Sequence, residues 1–255
     1  MKTYLDLSYG PLPEQKFDLF LPEGDSFPLI VYFHGGGLEA GNKTMPPSFS
    51  EYLTANGVAV ASADYRMYPA AKYPEFIDDA ARCVAYLKEQ IGEYGTCEGI
   101  YVGGSSAGGY LSQMLCFDGS YLEKYGVSVF DVAGFLHDAG QPTTHFNVLR
   151  ERGMDTRRIV VDEAAPLYYV GTRDANPPML FITATNDMEN RVEQTELVLS
   201  TIRHFGTKGE VLYKQMRGNH CYYTYLPDED GVIALGKIFL AYLRRHNEDY
   251  QGYFN

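Results

Sequence analysis

Tryptophan is absent from this chain of 255 residues, and cysteine and basic residues are scarce. Without Trp, the large aromatic surfaces must come from 22 Tyr and 14 Phe, and tyrosine pairs a stacking ring with a hydroxyl that hydrogen-bonds. The four cysteines, Cys83, Cys97, Cys116 and Cys221, make no C-x-x-C pair and no zinc spacing. They read as reduced thiols of a cytoplasmic protein, which argues against a disulfide framework and against a metal site. Lys and Arg number 21 against 33 Asp and Glu, a formal net charge of −12. Nucleic acid and anionic membranes both need clustered positive charge, so neither is an expected partner, and a neutral small molecule suits this surface better. No uninterrupted apolar stretch approaches the length of a membrane span, since the last helical pattern carries Lys237, Arg244 and Arg245. The N-terminus has a charge at Lys2 and no sustained apolar core, so no secretory signal is expected there. Nor does any linker, repeat or low-complexity tract divide the chain, which predicts a single domain over residues 1–255.

What is present is an alternation of short β-rich runs with helical patterns, the signature of a mostly parallel central sheet flanked by helices. Residues Lys16 to Leu21 alternate Phe17, Leu19 and Leu21 to one side, as an early antiparallel strand does. Further strands are predicted at Leu29–Phe33, Val58–Ala61, Ile100–Val102, Val132–Leu136, Met179–Thr183 and Glu210–Tyr213. Helices are predicted from Pro74 through Leu87, from Tyr110 to Phe117, from Val192 to Phe205 and from Val232 to Leu243. The stretch from Ala139 to Asn176 has Gly, Pro and Arg interruptions and is too long for a plain connection, so a small lid or pocket wall is expected there.

The most informative residue is Ser106, at the centre of Gly104-Ser105-Ser106-Ala107-Gly108, between a β-branched run and a helical stretch. A strand that turns at once into a helix pinches the backbone, and glycine at both flanks removes the side chains that would collide. The turn holds the hydroxyl at the open end of a sheet, beside the free N–H groups of a new helix. Such a serine needs a base, and the base needs an acid to hold its tautomer. Of six histidines, His204 and His246 fall on predicted helices, His34 in a glycine loop, and His137 and His145 at or inside the long insertion. His220 follows the final predicted strand and precedes the final predicted helix, in Gly218-Asn219-His220-Cys221, and is the candidate base. Asp187 is the first carboxylate after the Met179–Thr183 strand and the candidate acid, with Glu189 the fallback; Asp174 lies at the wrong end of that strand.

Attack on a carbonyl leaves a negative oxygen, which preorganised N–H donors stabilise. His34-Gly35-Gly36-Gly37 follows the strand Val31-Tyr32-Phe33, and the donors are assigned to Gly36 and Ala107, with Gly35 the alternative to Gly36. Gly36 to Thr44 also reads as a near miss to a phosphate-binding loop, but Asn42 stands where the lysine should directly follow glycine. No cofactor or nucleotide is expected.

With these residues placed, nearly the whole chain resembles the esterase and lipase branch of the α/β-hydrolases, most of all its hormone-sensitive-lipase-like and small acetylxylan-esterase-like members. The resemblance is carried by Phe17-Asp18-Leu19-Phe20-Leu21-Pro22, Tyr32 to Gly37, Asp64-Tyr65-Arg66 and Gly104 to Gly109, in that order. It implies an α/β-hydrolase fold, a triad of Ser106, Asp187 and His220, and carboxylesterase activity through an acyl-enzyme. Asp64-Tyr65-Arg66 matches a family marker with a mainly structural part. Where many relatives carry an aromatic residue after the glycine loop, this chain has Leu38-Glu39-Ala40, which is expected to change the cleft wall. The short stretch before that loop leaves no room for a helical cap, which points to short acyl esters, with acetyl or aromatic acyl esters of sugars as the narrower expectation. Tyr222, Tyr223 and Tyr225 beside the histidine offer stacking surfaces for such rings. The same triad could instead serve an amidase, a peptidase or an arylformamidase, or be kept in a ligand-binding homologue that does no chemistry.

Overall fold

Sheet alternation decides the layers. In the strand Ser26–Phe33 (β3), Leu29, Val31 and Phe33 face one side of the sheet and Ile30 and Tyr32 the other, and all five are buried. A strand buried on both faces must lie in the middle of a sheet covered by helices, and that is its place in this computed structural model, which describes residues 1–44, 47–244 and 251–254. Among the described residues nine strands form one sheet in the order β1-β2-β4-β3-β5-β6-β7-β8-β9. The other strands are Lys2–Ser8 (β1), Lys16–Leu21 (β2), Ala59–Ala63 (β4), Thr96–Ser105 (β5), Gly134–Asp138 (β6), Met179–Asn186 (β7), Val211–Asn219 (β8) and Gln251–Phe254 (β9). From β4 through β3 to β8 the neighbours are parallel, while β1, β2 and β9 pair antiparallel toward the edges.

On one face, Glu75–Gln90 (α2) and Ala107–Phe117 (α3) cover Leu29, Val31 and Phe33 with Phe76, Ala80, Val84, Leu111 and Leu115. On the other, Pro47–Ala55 (α1) and Ala234–Arg244 (α7) bring Phe49, Leu53, Ile238 and Phe239 onto Ile30, Tyr32 and Val60. Each large side chain buried this way contributes about 1.5–3 kcal/mol. The short helices Ser120–Glu123 (α4) and Phe146–Glu151 (α5), together with Arg191–Phe205 (α6), are the other α-helices among the described residues. No helix among the described residues is long and apolar enough to cross a membrane.

The expected helices and parallel strands are present with shifted ends. Strand β5 runs on through Gly103, Gly104 and Ser105, because glycine leaves room for Leu136 and Phe33 alongside. β1, β9 and α1 correspond to no predicted element. β1 is almost wholly exposed and so has no apolar face to read, and α1 is a single Pro- and Ser-containing stretch that becomes helical where Phe49 and Leu53 pack on α7.

Candidate active site

Parallel pairing of β3 with β5 sets Phe33 opposite Gly104, so the two chains leave the sheet side by side and at the same end. One leaves as His34-Gly35-Gly36-Gly37 and the other as the turn at Ser106. The backbone of Ser106 has φ 54° and ψ −109°, a conformation side chains rarely adopt, and α3 begins at the next residue. Packing holds the turn in place. The Ser106 N–H donates to the Asp138 carbonyl at 2.8 Å and its own carbonyl accepts from Tyr110 N–H at 2.9 Å. A Cβ added to Gly108 would sit 1.9 Å from the Phe33 carbonyl oxygen, and one on Gly104 would sit 2.5 Å from the same atom. Backbone cannot retreat as a flexible side chain can. Gly108→Ala is therefore expected to cost about 3 kcal/mol or more, at the upper end of overpacking effects, read as a lowered denaturation midpoint by urea titration.

The other two candidates arrive on the ends of β7 and β8, neighbouring parallel strands. Asp187 follows β7, its side chain buried, and accepts hydrogen bonds from the N–H groups of Ala184 and Met188, each at 2.8 Å. Its Oδ1 also takes His220 Nδ1. Burial works to raise this carboxyl, but the His220 bond and the two backbone N–H groups outweigh it and hold Asp187 below the usual carboxylate range. An ionised carboxylate can only accept, so Nδ1 carries the proton and Nε2 is left with its lone pair. That lone pair lies 2.9 Å from Ser106 Oγ. The Cys221 thiol is 3.6 Å from the same nitrogen, but burial pushes its pKa well up, and it is not a competing nucleophile.

Gly36 and Gly37 adopt left-handed φ values of 115° and 65°. The first is enforced, since a Cβ on Gly36 would meet the Ala40 carbonyl oxygen at 2.0 Å. A Cβ on Gly35 would lie 3.4 Å from the Ser106 Cβ, which sets this loop directly beside the serine. Ala107 opens α3, so its N–H has no partner within the helix and is free for an oxygen beside Ser106. The marker sequence props the loop from behind: Tyr65 Oη donates to the His34 carbonyl at 2.9 Å, and Arg66 is fixed by Asp79 and Glu75. Lys43 pairs with Asp18 at 2.9 Å and Asp6 at 3.0 Å, so it is committed away from any phosphate.

These groups open into a cleft of about 680 Å³. Tyr32, Phe49 and Leu235 line it from the α1 and α7 side, and Phe146, Met188 and Tyr225 from elsewhere. The wall near the glycine loop differs from the sequence expectation. Leu38 is wholly buried in the core, and it is Phe146, from the insertion, that lies against Gly37. The insertion is bound to the loop it overlies: Asn147 Nδ2 donates to the Gly37 carbonyl at 2.9 Å, and Arg150 pairs with Glu39. No sequence signal pointed to Phe146, because its neighbours are irregular and its partner lies 109 positions upstream in a separate loop. Of the three tyrosines after His220, Tyr225 faces the cleft, Tyr222 packs on Gly218 and Tyr223 is fully buried. Glu189 is exposed. His137 is buried among Phe117, Phe135 and Phe181 with its pKa pushed down to about 3, and His145 is likewise held neutral by burial. His246 lies outside the described residues. Among the described residues no group of three or more His, Cys, Asp or Glu could hold a metal ion.

Comparison with known proteins gives two family matches, the prolyl oligopeptidase family over residues 74–230 and a family described as BD-FAE over residues 17–126. Among curated relatives, an Arabidopsis thaliana protein named as a probable isoprenylcysteine alpha-carbonyl methylesterase is 22% identical over 80% of this chain and 48% of its own length. Kynurenine formamidase of Danio rerio is 29% identical over 45% of this chain and 39% of its own. Carboxylesterase NlhH of Mycobacterium tuberculosis is 36% identical over 36% of this chain and 29% of its own. The chain thus spans about half, or less, of the length of these relatives. Among solved structures, esterase B from Lactobacillus Rhamnosis aligns with a TM-score of 0.75 at 18% identity, covering 97% of this chain and 87% of that one. A truncated carbohydrate esterase from gut microbiota aligns at 0.72 and 20% identity, covering 94% and 95%. At these identities the two structures establish the fold, which is that of the α/β-hydrolases.

Proposed function

We propose, given that the chain belongs to the prolyl oligopeptidase family of α/β-hydrolases, that it is a serine carboxylesterase acting on short acyl esters. The observation that carries this reading is the 2.9 Å approach of Ser106 Oγ to His220 Nε2, with Asp187 on the far ring nitrogen. In this mechanism Ser106 Oγ attacks the ester carbonyl carbon as Nε2 takes its proton. The carbonyl oxygen becomes negative beside the N–H groups assigned as its donors, those of Gly36 and Ala107, with Gly35 the alternative to Gly36. Asp187 stabilises the imidazolium that forms and does not itself take the proton. The imidazolium then protonates the departing alkoxide, which leaves an acyl-enzyme, and water repeats the sequence to free Ser106.

The acyl group is read as acetyl to butyryl, and the alcohol as a sugar or other neutral hydroxyl compound. Among the structural neighbours, Thermogutta terrifontis esterase 2 is described with bound butyrate and esterase B with a tributyrin-derived phosphonate, and another neighbour is a carbohydrate esterase. Among the described residues no Asp, Glu, Lys or Arg lines the cleft, and its polar lining beyond the catalytic groups includes His34, Asn42, Thr44, Ser62, Ser105 and Thr224. The test is initial rates on p-nitrophenyl esters from acetyl to decanoyl, with acetylated xylo-oligosaccharides alongside. The expected result is a maximum of kcat/KM at or below butyryl together with release of acetate from the sugars. A preference for decanoyl would reject the short-acyl assignment.

A second reading, amide or formamide hydrolysis by the same residues, is favoured by the likeness to kynurenine formamidase. Turnover of N-formyl aryl amides in the absence of ester turnover would select it.

A further inference from the structure

Directly beneath the serine turn lies a carboxylate that the reaction above does not use. Asp138, the last residue of β6, is completely buried. A buried, isolated carboxylate is costly, so each of its oxygens should have a donor, and each does. Oδ2 accepts the hydroxyl of Ser105, the residue immediately before Ser106. Oδ1 accepts the hydroxyl of Tyr223, three residues after His220. The Ser105 oxygen in turn accepts from Tyr32 Oη at 2.8 Å, in the strand that ends in the glycine loop. The Asp138 carbonyl holds the Ser106 N–H at 2.8 Å.

One residue on β6 thus joins three segments through side-chain hydrogen bonds: the serine turn, the histidine loop and, by way of Ser105, the strand before the glycine loop. We propose that Asp138 is a positioning residue of this site, whose carboxylate ties Ser105 to Tyr223 and thereby fixes the approach of Ser106 to His220. The proposal rests on the reading of Ser106 and His220 as nucleophile and base.

The hydrogen-bond count makes the carboxylate hard to replace. Tyr32 already donates to Ser105, so the Ser105 proton must go to Asp138, and Tyr223 has its own proton to place. Two acceptors are needed. Asparagine offers one acceptor oxygen and an NH₂ group, so one hydroxyl proton would lose its partner and one loop its tether. The charged and titratable groups that face Asp138 are Tyr32 on β3, His220, Cys221 and Tyr223 after β8, and Asp187 after β7. Arg191 of α6 donates to the neighbouring Ala139 carbonyl at 2.7 Å. Burial pushes the Asp138 carboxyl up to about 7, against the two hydroxyl bonds that favour its charged form.

The test compares Asp138→Asn and Tyr223→Phe with wild type and with Ser106→Ala, using p-nitrophenyl acetate across pH 5 to 9 and circular dichroism to verify folding. Tyr223→Phe removes one oxygen from a filled site and so guards against a failure of Asp138→Asn to fold. The expected results are a kcat lower by roughly 10²-fold in Asp138→Asn, a smaller loss in Tyr223→Phe, and KM changed less than threefold in both. The kcat gap between wild type and Asp138→Asn should be widest above pH 7 and narrow as pH falls through about 7, where the wild-type carboxyl takes up a proton and loses one of its two acceptors; a purely structural role would leave the gap the same at every pH. Folded variants with wild-type kcat across the pH range would overturn the proposal. A Ser106→Ala variant that still turns over would remove the reading on which it rests, so the two failures are distinguishable.

Discussion

Ser106→Ala is expected to lower turnover by roughly 10⁶-fold, the scale on which a nucleophile of this kind acts, while the protein stays folded. The serine's backbone conformation is imposed by the β5-to-α3 turn and by the Asp138 carbonyl, not by its hydroxyl, so alanine inherits the same geometry. The melting temperature should move by no more than a few degrees. What remains of the activity should come from binding and from the N–H donors at Gly36 and Ala107. Labelling by a fluorophosphonate, followed by peptide mapping, should place the adduct on Ser106, and Ser105→Ala should retain measurable turnover. An adduct on any other serine, or a dead Ser105→Ala beside an active Ser106→Ala, would reject the assignment.

Asp187→Asn should cost about 10⁴-fold in kcat. The mechanism of the loss is tautomeric. The carboxylate accepts from Nδ1 and from the N–H groups of Ala184 and Met188, and it has no proton of its own to give. An amide can turn its NH₂ toward the ring, accept the other tautomer, and leave Nε2 carrying a proton where Ser106 needs a lone pair. Glu189→Gln is the control. That side chain is exposed, and its loss should change kcat by less than threefold. If Glu189→Gln proved the more damaging, the acid would have been misassigned.

How much of this could be read from the sequence depends on whether a residue's partners were local. Ser106 was legible because its requirement is local: glycine at both flanks, a strand before and a helix after. Asp187 and His220 were legible because strand ends come in a fixed order along the chain, and strand order sets which loops can meet. β3 was legible from its apolar run alone. Asp138 was not, since a carboxylate at a strand end reads as an ordinary solvated loop acid. It is buried only because Tyr32, Ser105 and Tyr223 converge on it, the last of them 85 residues away. Phe146 was hidden for a similar reason, as the stretch around it has no periodicity and takes its place from contacts with Gly37 and Glu39. The tyrosines after His220 gave a mixed lesson. Composition correctly put aromatic rings at the site, but only burial distinguishes Tyr223, which serves the interior, from Tyr225, which faces the cleft.

The bond from Asn147 to the Gly37 carbonyl and the Arg150–Glu39 pair bear on how this scaffold can change its substrate. In many enzymes a surface excursion can be exchanged between homologues as a unit while the catalytic loops stay as they were. Here the excursion and the glycine loop are one mechanical part, and a chimera that imports only one of them leaves Glu39 and Asn147 without their mates at the rim of the reacting centre. Recombination along this chain therefore has an inherited linkage group made of residues 37–39 and 146–150, and libraries that shuffle these two stretches together should yield active clones far more often than libraries that shuffle them apart.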